Sequence, residues 1–245
     1  MNTFYHSGGL GDIIYSLPTV KRLGGGIYVT GLPMNAHDVI APLLLSQPYI
    51  TGVRHVTEDG LPKGYINLDY FRHSSRGNKN HLVNQHLRYF GFDDYDFETE
   101  GGWLEGIESK HIGRSLFSVL NITPRYRDKI FSWRRYFNTH PVRKLLFMGL
   151  PEEYHTFGWP ITNRYFPVGD YLEAARIIAG AEEFYGNQSS LLAIRQGLGM
   201  TYHMEWSPNH VDSSQFSTRE IIVNRYTRKI HKLYVTVRGL FKSNI

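Results

Sequence analysis

The stretch from His6 to Pro18, His-Ser-Gly-Gly-Leu-Gly-Asp-Ile-Ile-Tyr-Ser-Leu-Pro, constrains this chain more than any other. It follows Thr3-Phe4-Tyr5, which reads as a first strand. Its continuation from Asp12 to Leu23 reads as an amphipathic helix with Ile13, Leu17 and Val20 on one face. A strand, a glycine turn and a helix start in that order make an anion site. Glycine lets backbone approach a ligand, and the first helical N–H groups carry partial positive charge. Asp12 is the odd member. A carboxylate suits the helix dipole but not a phosphate beside it, which leaves two readings: a helix cap, or a catalytic group aimed into a cleft. No Lys-Ser/Thr follows the glycines, so this is not a Walker loop. A dinucleotide fingerprint counted from Gly9 would need glycine where Ile14 stands.

The remaining chain alternates strand and helix twice, with a break near residues 105–125. Gly24-Gly25-Gly26 ends the first helix, and Ile27 to Thr30 reads as strand two. Residues 36–46 read as a helix kinked or delayed by Pro42, and 81–90 have helical spacing. Val53–Val56 and Tyr65–Leu68 are short strands, and Asp69–Asn80 is a polar loop at the mouth of the sheet. In the second half, Leu116–Leu120, Lys144–Gly149, Glu182–Gly186 and Met200–Trp206 read as strands. Val168–Ile178 and Leu191–Gly197 read as helices, and the segment from Ser217 starts with helical potential. The expected organisation is an N-terminal Rossmann-like domain over 1–114, a C-terminal one over 115–216, and a basic segment over 217–245. Two open α/β domains facing each other place a ligand in the cleft at the carboxyl ends of both sheets.

Several functions are excluded or left open by composition. With no cysteine among 245 residues, disulfides, thiolate catalysis and cysteine zinc sites are excluded. The twelve histidines show no metal-binding spacing, and Asp94-Tyr95-Asp96 reads as a solvated loop, so no metal site is expected. No apolar run approaches the ~20 residues of a membrane helix, and no signal-peptide pattern is present. The sequence therefore predicts a soluble, cytoplasmic protein, with the membrane surface as a second location. The net charge of +5 is concentrated at the end: Arg219 to Ile245 holds seven basic residues and one acid, leaving −1 for residues 1–218. Such a segment is either a solvated helix face or a contact for DNA or an anionic surface.

Ser7-Gly8-Gly9-Leu10-Gly11-Asp12-Ile13-Ile14-Tyr15-Ser16-Leu17-Pro18 resembles the N-terminal motif of glycosyltransferase family 9, the ADP-heptose:lipopolysaccharide heptosyltransferases. There a Gly-x-Gly-Asp turn precedes an apolar pair and Leu-Pro. Ala179 to Ser189 more loosely resembles that family's second strand and turn, and Leu146 to Glu153 its strand before the donor pocket. The two best matches cover some 25 residues, in the expected order. The family's Asp in the second turn is Gln188 here, no glycine follows it, and the chain is shorter.

The resemblance implies an α/β, GT-B-like fold of two Rossmann-like domains. It implies an inverting, metal-independent hexosyl or heptosyl transfer from a nucleotide-sugar donor to a glycan or other hydroxyl acceptor, with no other cofactor. Asp12 matches the family's proposed general base. Gly8, Gly9 and Gly11 are candidate ligand-approach glycines, and Arg125, Arg127 and Lys129 a candidate diphosphate clamp. Asn187, Gln188, Ser189 and Ser190 are candidate donor ligands, and Glu153 and Glu205 candidate acceptors for ribose hydroxyls or a base amine. Two other functions remain open at this point: sugar transfer to hydroxymethylated bases in DNA, and non-catalytic nucleotide binding on a transferase fold.

Overall fold

The structure is a computed structural model and describes residues 1–56, 60–73, 81–94, 102–162, 164–207 and 219–224. Residues 74–80 of the polar loop, Tyr95 and Asp96 of the Asp-x-Asp, and the basic segment from 225 onward lie outside the described residues.

The first half is a four-stranded parallel sheet. Its strands are β1 (Asn2–His6), β2 (Gly26–Thr30), β3 (Ile50–His55) and β4 (Ile66–Asn67), in the order β3-β2-β1-β4. Helices α1 (Leu10–Arg22), α2 (Met34–Leu45) and α3 (Leu82–Tyr89) accompany it. Two of the three glycines after α1 are dictated by space. A Cβ on Gly25 would sit 2.1 Å from the Tyr49 carbonyl oxygen, and one on Gly26 would sit 2.2 Å from that of Asn2. Both glycines also have positive φ, 68° and 152°.

Pro18 lies inside α1, and Pro42 inside α2, which runs on through it. Proline has no N–H for the carbonyl four residues back. In α1 that carbonyl belongs to Ile14, and the Trp103 indole N–H donates to it at 3.0 Å. The tryptophan thus supplies the hydrogen bond the proline removes.

The second half is a six-stranded parallel sheet, order β10-β9-β8-β5-β6-β7. Its strands are β5 (Ser118–Asn121), β6 (Leu145–Gly149), β7 (Tyr165–Pro167), β8 (Glu183–Gly186), β9 (Tyr202–Met204) and β10 (Glu220–Ile222). Its helices are α4 (Trp133–Thr139), the single turn α5 (Pro151–Glu153), α6 (Tyr171–Gly180) and α7 (Ser190–Gly197). Three differences from the sequence reading stand out. Residues 220–222 form a strand rather than a helix, because β9 offers them a parallel edge. Asp69, read as loop, lies in a 3-10 helix over Leu68–His73. Helix α4 and strand β7 are additional: α4 is held by an aromatic cluster in which Trp133 and Phe137 stack with centroids 5.6 Å apart.

One buried apolar cluster runs through both halves, from Phe4, Ile13 and Leu17 to Phe184, Leu192 and Ile222. Helix α1 packs on α7, and α2 on α6. A buried polar chain crosses the same seam. Tyr15 donates to Gln196 Oε1 at 2.7 Å, Gln196 to the Tyr202 oxygen at 2.9 Å, and Tyr202 to Glu220 Oε2 at 3.1 Å. No helix among the described residues is long and apolar enough to cross a membrane.

Candidate active site

Each sheet has one point at which its strand order reverses. In the first it lies between β1 and β4, and in the second between β5 and β8. Ligands of open parallel sheets bind beyond the carboxyl ends of strands at such points.

At the first point the chain leaves β1 at His6 and turns through Ser7, Gly8 and Gly9 into α1. Asp12 Oδ2 accepts from the Gly9 N–H at 3.1 Å and from Arg72 Nη2 at 2.7 Å. Asp69 Oδ2 accepts from the Ser7 N–H at 2.8 Å and the Ser7 hydroxyl at 2.7 Å. Asp69 Oδ1 lies 2.8 Å from His6 Nδ1. Burial pushes the Asp69 carboxyl upward, but His6 and the two Ser7 donors outweigh it and hold the group well below the usual carboxylate range. The Gly8 N–H also reaches His6 Nδ1 at 2.8 Å. That nitrogen serves Asp69 only when protonated and Gly8 only when bare, so the two contacts are alternatives.

At the second point Asn187 clasps Thr123: its Oδ1 accepts from the Thr123 N–H at 2.9 Å, and its Nδ2 donates to the Thr123 carbonyl at 2.7 Å. Ser189 caps α7 by accepting from the Leu192 N–H at 3.1 Å. The Ser190 hydroxyl pairs with that of Tyr171.

The two turns meet. A Cβ on Gly11 would sit 3.6 Å from the Ser190 Cα. Between them lies a cleft of about 310 Å³, lined by Gly9, Gly11 and Asp12 from one half and by Thr123, Arg125, Tyr126, Gln188, Ser189 and Ser190 from the other. Gly8 stands just behind: a Cβ there would lie 2.5 Å from the His6 ring and 2.9 Å from Asp12 Oδ2.

Five further residues singled out from sequence do not line the cleft. Glu205 is fully buried and accepts from the Trp133 indole at 2.6 Å, the Asp128 N–H at 2.6 Å and Arg127 Nε at 3.2 Å. Burial pushes its carboxyl up to about 7 against the lowering pull of Arg127 and the two N–H donors. Arg127 is therefore committed to Glu205 and to the Phe131 carbonyl, with its guanidinium 4.8 Å over the Phe157 ring. Together they pin the 125–133 loop. Lys129 is exposed and does not line the cleft. Glu153 caps its own turn by accepting from the Leu150 N–H at 3.0 Å. Asn187 is buried and holds the second turn from behind. Sequence reasoning passed over Asp69 and Arg72, although both follow a strand end in a stretch read as the mouth of the sheet.

A larger concavity of about 930 Å³ lies at the opposite, amino-terminal end of the second sheet, between Ser118, Lys144, Glu183 and His203. It shares no lining residue with the cleft between the two turns. Among the described residues, no three histidine or acidic side chains gather as metal ligands.

No protein-family model matches the sequence, and no curated protein matches it. Solved structures do match in three dimensions. A glycosyl transferase family 9 protein from Veillonella parvula is 13% identical, with a TM-score of 0.67 over 95% of this chain and 88% of that one. The E. coli heptosyltransferase WaaC, solved with ADP-2-deoxy-2-fluoro heptose, is 12% identical, with a TM-score of 0.57 over 97% of this chain and all of that one. TibC from enterotoxigenic E. coli, a dodecameric, iron-containing heptosyltransferase solved with ADP-D-β-D-heptose, is 10% identical. Its TM-score is 0.56 over 89% of this chain and 61% of that one. The chain has the α/β, GT-B-like fold of these glycosyltransferases, two Rossmann-like domains with the candidate site in the cleft between them.

Proposed function

We propose that the chain is an inverting glycosyltransferase that takes a sugar from a nucleotide-sugar donor and delivers it to an acceptor hydroxyl. The observation that carries the reading is the meeting of two switch points. A turn bearing a carboxylate faces a turn bearing hydroxyls, amides and a helix start across one cleft. The fold it shares with solved transferases, two of them holding ADP-sugars, supports the same reading.

The chemistry follows from the two sides. The donor diphosphate lies against the second turn, where the first N–H groups of α7 and the Arg125 guanidinium offset its charge. The acceptor lies against the first turn. Its hydroxyl oxygen attacks the anomeric carbon from the face opposite the diphosphate. The new C–O bond forms as the bond to the phosphate oxygen breaks, and the hydroxyl proton passes to Asp12. The nucleoside diphosphate leaves carrying the electron pair, and stabilising it in that step is the task of Arg125 and the α7 N–H groups. The step needs no metal in this scheme.

A panel of ADP-, UDP-, GDP-, CMP- and dTDP-sugars, assayed with wild type and Asp12→Ala, tests the proposal. Wild type is expected to turn over at least one donor, and Asp12→Ala to lose about 10²–10⁴-fold in kcat, the usual worth of a general base. Full turnover by Asp12→Ala contradicts the assigned base. Nucleotide binding without transfer by wild type supports the non-catalytic alternative.

A further inference from the structure

The two oxygens of Asp12 are not equivalent. Oδ2 takes both donors, the Gly9 N–H and Arg72 Nη2, whereas Oδ1 takes no hydrogen bond among the described residues. Arg72 reaches Asp12 from 60 residues away in sequence, from the 3-10 helix that follows β4. The same short helix carries Asp69, which grips Ser7 on the other side of the glycines. One six-residue element therefore holds the glycine turn at both ends, Asp69 before it and Arg72 after it.

The element is itself well fixed. Phe71 is buried and packs on the buried His86 ring at 3.8 Å between centroids, and the Arg72 guanidinium lies 5.0 Å over the Phe71 ring. Gly8 leaves the space in which this happens, since a Cβ there would lie 3.0 Å from Arg72 Nη2. The Arg72 side chain is about half exposed, at 46%. An ion pair that open to water adds little to folding stability, so stability does not account for the arrangement.

We propose that Arg72 is the positioning residue of Asp12. By occupying Oδ2 it turns Oδ1 toward the cleft as the oxygen that receives the acceptor proton. This rests on the reading of Asp12 as general base. Arginine suits the task better than lysine because its planar fork fixes direction as well as charge. Misplacing a catalytic group by about an ångström can cost on the order of 10²-fold in rate.

The test is a kinetic series on the full chain with whichever donor the panel above identifies: wild type, Arg72→Ala, Arg72→Lys and Asp12→Ala, with thermal melting of each. Arg72→Ala is expected to melt close to wild type, to keep the donor KM within about threefold, and to lose about 10–10²-fold in kcat. Added guanidinium ion is expected to restore part of that loss in Arg72→Ala and none in Asp12→Ala. Arg72→Lys is expected to fall between wild type and Arg72→Ala. Wild-type kcat in Arg72→Ala, or a loss confined to KM, overturns the proposal while leaving Asp12 as base if Asp12→Ala is inactive. Full activity in Asp12→Ala overturns both, since no base is then left to position, and so does a wild type that turns over no donor. An Arg72→Ala that melts far below wild type assigns Arg72 to folding and also overturns it.

Discussion

Gly8, just behind the cleft, is the position in the first turn least able to carry a side chain. An added Cβ would meet the buried His6 ring at 2.5 Å, which cannot retreat, and Asp12 Oδ2 at 2.9 Å. Gly9, the N-cap of α1, has ordinary φ (−63°), and its Cβ would approach only Asp12 Oδ2, at 3.8 Å. Gly8→Ala is therefore expected to lower kcat by about 10²-fold by displacing Asp12, and Gly9→Ala to cost far less. Equal losses from the two, measured side by side, would contradict this geometry. The glycine turn and Asp12 were legible in the sequence because they are local, a strand end and a helix start within seven residues. Their partners were not. Asp69 and Arg72 join the turn across 62 and 60 residues, and Glu205 takes Arg127 across 78. A charge beside a strand reads as a phosphate clamp until the group that already holds it is known.

Among the elements, α1 shows how a local rule is met by a distant residue. The carbonyl orphaned by Pro18 is satisfied by Trp103, 89 residues on. Trp103→Phe leaves that buried carbonyl bare and is expected to cost about 1–3 kcal/mol. Part of this should return in the double variant with Pro18→Ala, which restores a backbone N–H to the same acceptor. Denaturant unfolding of the two single variants and the double one measures the coupling. Strictly additive effects would show that the indole does not replace the proline's missing bond. The long elements were readable from their periodicity. Strand β10 was not: its three residues become a strand only because β9 offers an edge, and Glu220 is accepted there because Tyr202 donates to it. Helix α4 and β7 are short segments, the one fixed by aromatic packing on β8 and the other by parallel pairing with β6, contacts that no local pattern encodes.

At the scale of the whole molecule, the α/β class and the pair of facing turns were legible because each half repeats a strand, a polar turn and a helix. The continuous core and the Tyr15–Gln196–Tyr202–Glu220 chain joining the halves depend on packing alone. Glu205 belongs to this scale, since it ties the end of β9 to the 125–133 loop. Its carboxyl, ordinarily near 4.5, is pushed up to about 7 by burial. A raised carboxyl pKa means the unfolded chain gives up the proton first. The contribution of Glu205 to stability is then full below pH 4.5 and falls by about 1.4 kcal/mol per pH unit as pH rises toward 7. Buried His86 works in the opposite sense: burial holds it well below its usual range, so its contribution is lost as pH falls. The two are separated by taking the stability of wild type minus that of Glu205→Gln at each pH. That difference is expected to decline across pH 5–7, and a flat difference would show that Glu205 does not titrate there.

The central claim is that a nucleoside diphosphate sits in the cleft between the two turns, and isothermal titration tests it most directly. ADP, UDP, GDP, CDP and dTDP are titrated into wild type and Arg125→Glu. At least one is expected to bind wild type, with Arg125→Glu weakening it by about tenfold or more, as loss of a charge-assisted contact and reversal of its sign require. Binding of none of the five to wild type, or an affinity unchanged in Arg125→Glu, would contradict the account.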